Sequence, residues 1–210
     1  MNDLVSTALD IVHQIDAATG GFASHSVERV ADGLLDKALQ KGREKLLHKT
    51  RDKIIQSKTE ISEDYSARTI SEILKHSDGV TNDKIVDLWA NLLAKALTGD
   101  DHSIRPMYYE IIEKLAPEDA LLISIVGSEL SSVRLSAQDE RSPRHASLIR
   151  EKRKQYLLTK FKDENALSFS IDALERLGIL TKRGDYNLEF SILGKGFYTT
   201  VCTPILSEKS

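Results

Sequence analysis

The chain has 210 residues, of which 40% are hydrophobic and 29% charged, and its formal net charge at pH 7 is −3. That length and balance fit one large or two small soluble domains with a full apolar core. No apolar run approaches the roughly 18 residues a membrane-spanning helix needs, and a single cysteine, Cys202, excludes an internal disulfide framework.

The opening MNDLVSTALDIVHQID holds acidic residues and no basic stretch, so a secretory signal is not expected and the cytoplasm is the expected location. Leu4, Val5, Ala8, Leu9, Val12 and Ile15 fall on one side of a helix over residues 3–16, and Thr19, Gly20 and Gly21 break it. A longer helix is predicted from about Ser26 to Lys58. Its stripe is Val27, Val30, Ala31, Leu34, Ala38, Leu46, Leu47, Ile54 and Ile55. Residues 1–63 mix nine Lys/Arg with ten Asp/Glu, the pattern of a solvated face. The stripe is nevertheless long for a small domain to cover. A partner helix, including one from a second copy of the chain, is therefore expected on it.

Ser62 to His76 reads as the next helix, with Tyr65, Thr69, Ile70, Ile73 and Leu74 inward, ending at Ser77-Asp78-Gly79. Thr81, Asn82 and Asp83 then offer caps to a helix whose apolar face is Ile85, Leu88, Trp89, Leu92, Leu93, Ala96 and Leu97. Gly99 stops it. Pro106 opens a further helix with Met107, Ile111, Ile112 and Leu115 on its inner face, and Pro117 opens another that runs to about Val133. Trp89, in the middle of an apolar stripe, reads as a core anchor. Residues 64–133 hold six basic against twelve acidic residues, which argues against nucleic acid along this part.

After the polar stretch 136–143, a helix from Pro143 to Lys162 carries Arg144, Arg150, Lys152, Arg153, Lys154, Lys160 and Lys162 with Glu151 the one acid. Leu148, Ile149, Tyr156, Leu157 and Phe161 are its expected buried side. Residues 134–210 hold fourteen basic and ten acidic residues, so the chain is polarised. The basic helix is either a solubilising face or a surface for an anion. Ser168 to Leu177 is a short helix closed by Gly178. Strands are predicted at Ile179–Lys182 and Tyr186–Phe190 around Arg183-Gly184-Asp185, and Ser191 caps a closing helix to about Cys202. Helix, hairpin, helix is a winged-helix-like outline. The helix in the recognition position, SFSIDALERLG, sets Arg176 beside Asp172 and Glu175 and offers little to base edges.

Reaction chemistry is sparse. There is no phosphate-binding loop, no HExxH, and no Cys/His spacing suited to a metal. Gly194-Lys195-Gly196 is too short for a phosphate cradle and falls in a helix, where glycine permits close packing. His13, His25, His48, His76, His102 and His145 stand at unrelated spacings. Cys202 has no obvious base beside it and reads as a small core residue. No catalytic residue, cofactor or metal is expected.

The stretch DKIVDLWANLLAKAL followed by RPMYYEIIEKLAPEDALLI resembles the abortive infection alpha (Abi-alpha) family of bacterial proteins, at Leu88 to Ala94, Pro106 to Leu115 and Asp119-Ala120. The resemblance extends to Leu177-Gly178, Tyr186, Leu188, Ser191, Gly194 and Phe197, with Glu189-Phe190 departing from the usual shorter link, and covers roughly residues 30–202. It implies a role in defence against phage and brings no catalytic residues with it.

The expectation is therefore a mostly α protein, a multi-helix domain with a small C-terminal winged-helix-like α+β unit. Residues 1–60 would form N-terminal partner-contact or oligomerisation helices, 61–165 a central helical core, and 166–205 the winged-helix-like unit. The expected function is non-enzymatic phage defence through contacts with a protein partner or a second copy, away from the membrane. The alternative is a nucleic-acid binder using Arg144, Arg150, Arg153, Lys154, Lys182 and Arg183.

Overall fold

The structure is a computed structural model, and it describes residues 34–62, 64–130, 143–182 and 186–203. The expected helix over 3–16 and the start of the helix from Ser26 lie outside these residues. Among the described residues the chain is mostly helical, with one two-stranded antiparallel sheet near its C-terminal end, as the periodicity predicts.

The helices are α1 (Leu34–Ser57), α2 (Ala67–His76), α3 (Asp83–Leu97), α4 (Pro106–Lys114), α5 (Pro117–Ile125), α6 (Pro143–Leu158), α7 (Glu164–Arg176) and α8 (Ile192–Phe197). The strands are β1 (Leu180–Lys182) and β2 (Leu188–Phe190). Five-residue π-turns follow α5 at Val126–Leu130 and α8 at Tyr198–Cys202. The chain divides into two compact units, residues 1–114 with 200–210, and residues 115–199.

The first unit is built on α3. Asn82 caps it, accepting hydrogen bonds from the backbone N–H groups of Lys84 and Ile85 at 3.0 and 3.5 Å. From Leu88 to Leu97 every residue is buried, and Trp89, Leu92, Leu93 and Leu97 are fully so. The single broad apolar face expected of this helix is thus a helix enclosed on all sides, packed by α1, α2 and α4. Leu46, Thr50 and Ile54 of α1 are buried, so this part of the stripe is covered within the unit, while Ile55 remains exposed. Gly42 allows α1 to approach closely: a β-carbon there would come 2.7 Å from the Val80 carbonyl oxygen.

Three local expectations change. Helix α2 starts at Ala67, not Ser62, because Ser66 is the residue whose hydroxyl caps it, accepting from the Thr69 N–H at 3.2 Å. On α4, Met107 is 46% exposed while Tyr108 and Tyr109 are buried with Ile111 and Ile112, since a helix begun at Pro106 turns 108, 109, 111 and 112 to one side. Helix α5 ends at Ile125 and passes into the π-turn at Val126–Leu130; the remainder of the expected run to Val133 lies outside the described residues.

In the second unit α5 packs on α7, and α7 on α6 and β1. Asp119 accepts from the Ala116 N–H at 2.8 Å, so the acid behind Pro117 closes the start of α5. Asp163 caps α7 through the Ala166 N–H at 2.8 Å. The sheet pairs Leu180 with Phe190, Thr181 with Glu189 and Lys182 with Leu188. Gly194 sits against the Ile179 carbonyl where a β-carbon would collide, which is why glycine stands in this helix. Leu157 and Phe161 are buried as expected, but Leu148 is 59% exposed.

Candidate functional site

The basic helix splits into two kinds of side chain. Arg150 and Lys152 are exposed on α6. Arg153 is 8% exposed, its guanidinium donating to the Asn187 amide oxygen at 2.6 Å, and burial holds its pKa below the usual arginine value. Lys154 pairs with Glu164 at 2.6 Å and lies over the Tyr186 ring, 5.3 Å from its centroid. The Tyr186 hydroxyl donates to the same carboxylate at 2.6 Å. The hydrogen bond from Lys154, and then that from Tyr186, holds Glu164 below the ordinary carboxylate range, and the reciprocal hydrogen bond raises Lys154.

The structure therefore joins Arg153 and Lys154 to the root of β2 instead of leaving them to solvent. Tyr186 has φ of +56°, a left-handed conformation that is unfavourable for a large side chain, and its hydroxyl contact fixes it there. Lys182 is exposed on β1. Arg183 lies outside the described residues, and of Arg144 only the backbone, in the first turn of α6, is described. Of the six candidate contacts Arg150 and Lys182 face solvent, as do Lys152, Lys160 and Lys162 of the same basic stretch.

A second polar group, missed by sequence reasoning, sits at the heart of the first unit. Asn91 is 6% and Lys95 5% exposed on the enclosed helix α3. The Asn91 amide donates to the Val201 carbonyl at 2.8 Å, and the Lys95 ammonium lies 3.8 Å from Asp100. Burial lowers the Lys95 pKa, against the opposing pull of Asp100 and Cys202. Burial also pushes the Cys202 thiol up to about 12. A thiol so disposed is protonated and unreactive near neutral pH, which fits a packing role. The available signal was the polar pair itself, four residues apart inside the run LWANLLAKAL.

On the outer face of the same unit, Lys45, Lys49 and Lys53 of α1 meet Asp83 and Asp87 of α3, at distances from 2.8 to 3.5 Å. Hydrogen bonding to Lys45 keeps Asp83 below the ordinary carboxylate range. Such exposed pairs orient the helices more than they stabilise them.

Among the described residues no group of three or more His, Cys, Asp or Glu side chains is arranged to hold a metal ion, and no helix is long and apolar enough to cross a membrane. What stands out is a helical chain with a helix, a two-stranded sheet and a helix near its C-terminal end, and with some of its charged side chains paired between elements. The chain belongs to the abortive infection alpha family, whose model matches residues 35–199. No curated protein and no solved structure matches it.

Proposed function

We propose that this protein is a non-enzymatic, cytoplasmic phage-defence protein of bacteria that acts by abortive infection through protein–protein contacts. Family membership supports the defence role. The observation that carries the contact role is the exposure of large apolar side chains on the C-terminal helix–hairpin–helix end. Phe169 of α7 is 75% exposed and Ile192 of α8 is 92% exposed. We read that end as winged-helix-like and used for protein contact, because the outward positions of α7 present Asn165, Ser168, Phe169 and Asp172, with Arg176 as the one basic group among them. In this reading residues 1–60 serve partner contact or self-association, 61–165 form the helical core, and 166–205 the contact unit.

The test is phage plating on bacteria expressing the wild type or Phe169→Glu, alongside expression level and thermal unfolding. Protection lost with unfolding unchanged supports the reading. Protection retained by Phe169→Glu and Ile192→Glu together removes it.

The exposed Arg150, Lys152 and Lys182 favour one alternative, a nucleic-acid contact by the second unit. Fluorescence anisotropy with duplex DNA at two salt concentrations separates the two. Binding that weakens steeply with salt supports the alternative, and a flat signal at low salt removes it.

A further inference from the structure

The sole tryptophan, Trp89, is fully buried, and its indole N–H makes no hydrogen bond within the described residues. Two rings flank it. The His76 imidazole lies nearly parallel to the indole, 15° between planes and 6.4 Å between centroids, and the Tyr109 ring is 6.0 Å away. His76 and Tyr109 are themselves 5.3 Å apart. The three rings come from α2, α3 and α4, so the pile joins three helices.

The edges of the imidazole are what make the pile unusual. Its Nδ1 is 2.7 Å from a carboxylate oxygen of Glu113 on α4. Its Nε2 is 3.5 Å from a carboxylate oxygen of Glu72 on α2. A neutral imidazole has one N–H and one lone pair, so it can donate to only one of these oxygens and must turn a lone pair toward the other. The imidazolium donates from both nitrogens and its charge answers both carboxylates. Lys75, beside it on α2, is exposed; Tyr109 on α4 has its pKa raised by burial and then by Glu72 and Asp101; Asp78 is held by Arg43 of α1 at 3.0 Å. Helix α3 presents the uncharged Trp89.

We propose that His76 is a proton-dependent clasp between α2 and α4, closed over Trp89 when the imidazole is charged and loosened when it is neutral. Proton loss removes the ionic attraction to both carboxylates and leaves a lone pair facing one of them, so a single neutral hydrogen bond is the most that remains between α2 and α4.

The experiment is a double-mutant cycle on the full chain at about pH 5.5 and about pH 8. His76→Phe keeps a ring against Trp89 and removes both nitrogens; Glu113→Gln removes the acceptor charge. Unfolding in urea is followed by Trp89 emission. The pair is partly solvated, so the expected coupling is about threefold in the unfolding constant at the lower pH and smaller at the higher, where only a neutral hydrogen bond to Glu113 remains. Native Trp89 emission changes with pH in the wild type and not in His76→Phe. Equal coupling at both pH values, or a native emission change that survives in His76→Phe, overturns the proposal. Should His76→Phe fail to fold, Glu113→Gln and Glu72→Gln carry the test alone. Each must reduce the pH dependence of wild-type stability between those two values, and unchanged dependence in either overturns it.

Discussion

The ring of Tyr198 occupies the space above the α-carbon of Gly127, where a β-carbon would meet its Cε2 and Cζ atoms. Gly127 lies in the π-turn that ends α5 and Tyr198 opens the π-turn that follows α8, so two short irregular segments lock together through a residue with no side chain. Phe190 of β2 stacks on the same ring with centroids 5.1 Å apart. The atoms a methyl group would meet all belong to the Tyr198 ring, which Phe190 backs. Gly127→Ala should therefore destabilise the protein by about 2 kcal/mol through overpacking. Urea unfolding checks this. Combining it with Tyr198→Leu should recover part of the loss, whereas a purely conformational role for Gly127 would give additive effects.

Asn82 is the cap of the helix on which the first unit is built, and its side-chain oxygen accepts from two backbone N–H groups. The residue is exposed, so replacing it removes little packing. Asn82→Ala should lower stability by about 1 kcal/mol, and Asn82→Asp should restore most of it by adding negative charge at the helix start. A urea midpoint that Asn82→Ala leaves in place would show that Thr81 or Asp83 substitutes as the cap.

The helices that begin at Pro106 and Pro117 and the one that ends at Gly99 were readable because proline and glycine act through their own backbone geometry. Gly99 has φ of +82°, a conformation that favours its residue type wherever the chain goes. The strands Leu180–Lys182 and Leu188–Phe190 fall within the two runs expected to be extended. What escaped the sequence depends on tertiary neighbours. Asn91 and Lys95 look like the polar edge of an amphipathic helix until α3 is enclosed on every side. Met107 has the composition of a core residue, and only the direction of α4 turns it outward. The anion-binding set was chosen by charge alone, whereas Arg153 is committed to Asn187 and Lys154 to Glu164 by segments more than nine residues away. The approach of His76 to Glu113 spans 37 positions, and no local pattern marks it.

That division within the basic helix yields a prediction on stability. Arg153 is buried and bonded, so Arg153→Ala removes both a packed stem and a charged hydrogen bond, at a cost of about 2 kcal/mol. Arg150→Ala and Lys152→Ala, at exposed positions, should stay within about 0.5 kcal/mol of wild type. Urea denaturation of the three variants checks the ranking. It also decides how a nucleic-acid titration is read: loss of binding in Arg150→Ala or Lys152→Ala reports on contact, while loss in Arg153→Ala reports first on folding.

The alkaline limb of stability should carry the mark of Cys202. Its thiol moves from 9.0 to about 12 on burial, so the fold favours the protonated form. A group raised in the folded state contributes stability that is complete below its unfolded value of 9.0 and is lost as pH rises from there through about 12. Lys95 works in the opposite sense. Burial lowers it, so its contribution is present above 10.5 and is lost as pH falls through the folded value. Urea midpoints measured at about pH 8 and about pH 10 should fall more steeply in the wild type than in Cys202→Ala, since alanine has no proton to lose. The same burial should slow reaction of the thiol with a disulfide reagent at about pH 8 by about a hundredfold relative to the chain in urea. Equal labelling rates with and without urea would place the thiol in open solvent and remove both expectations together.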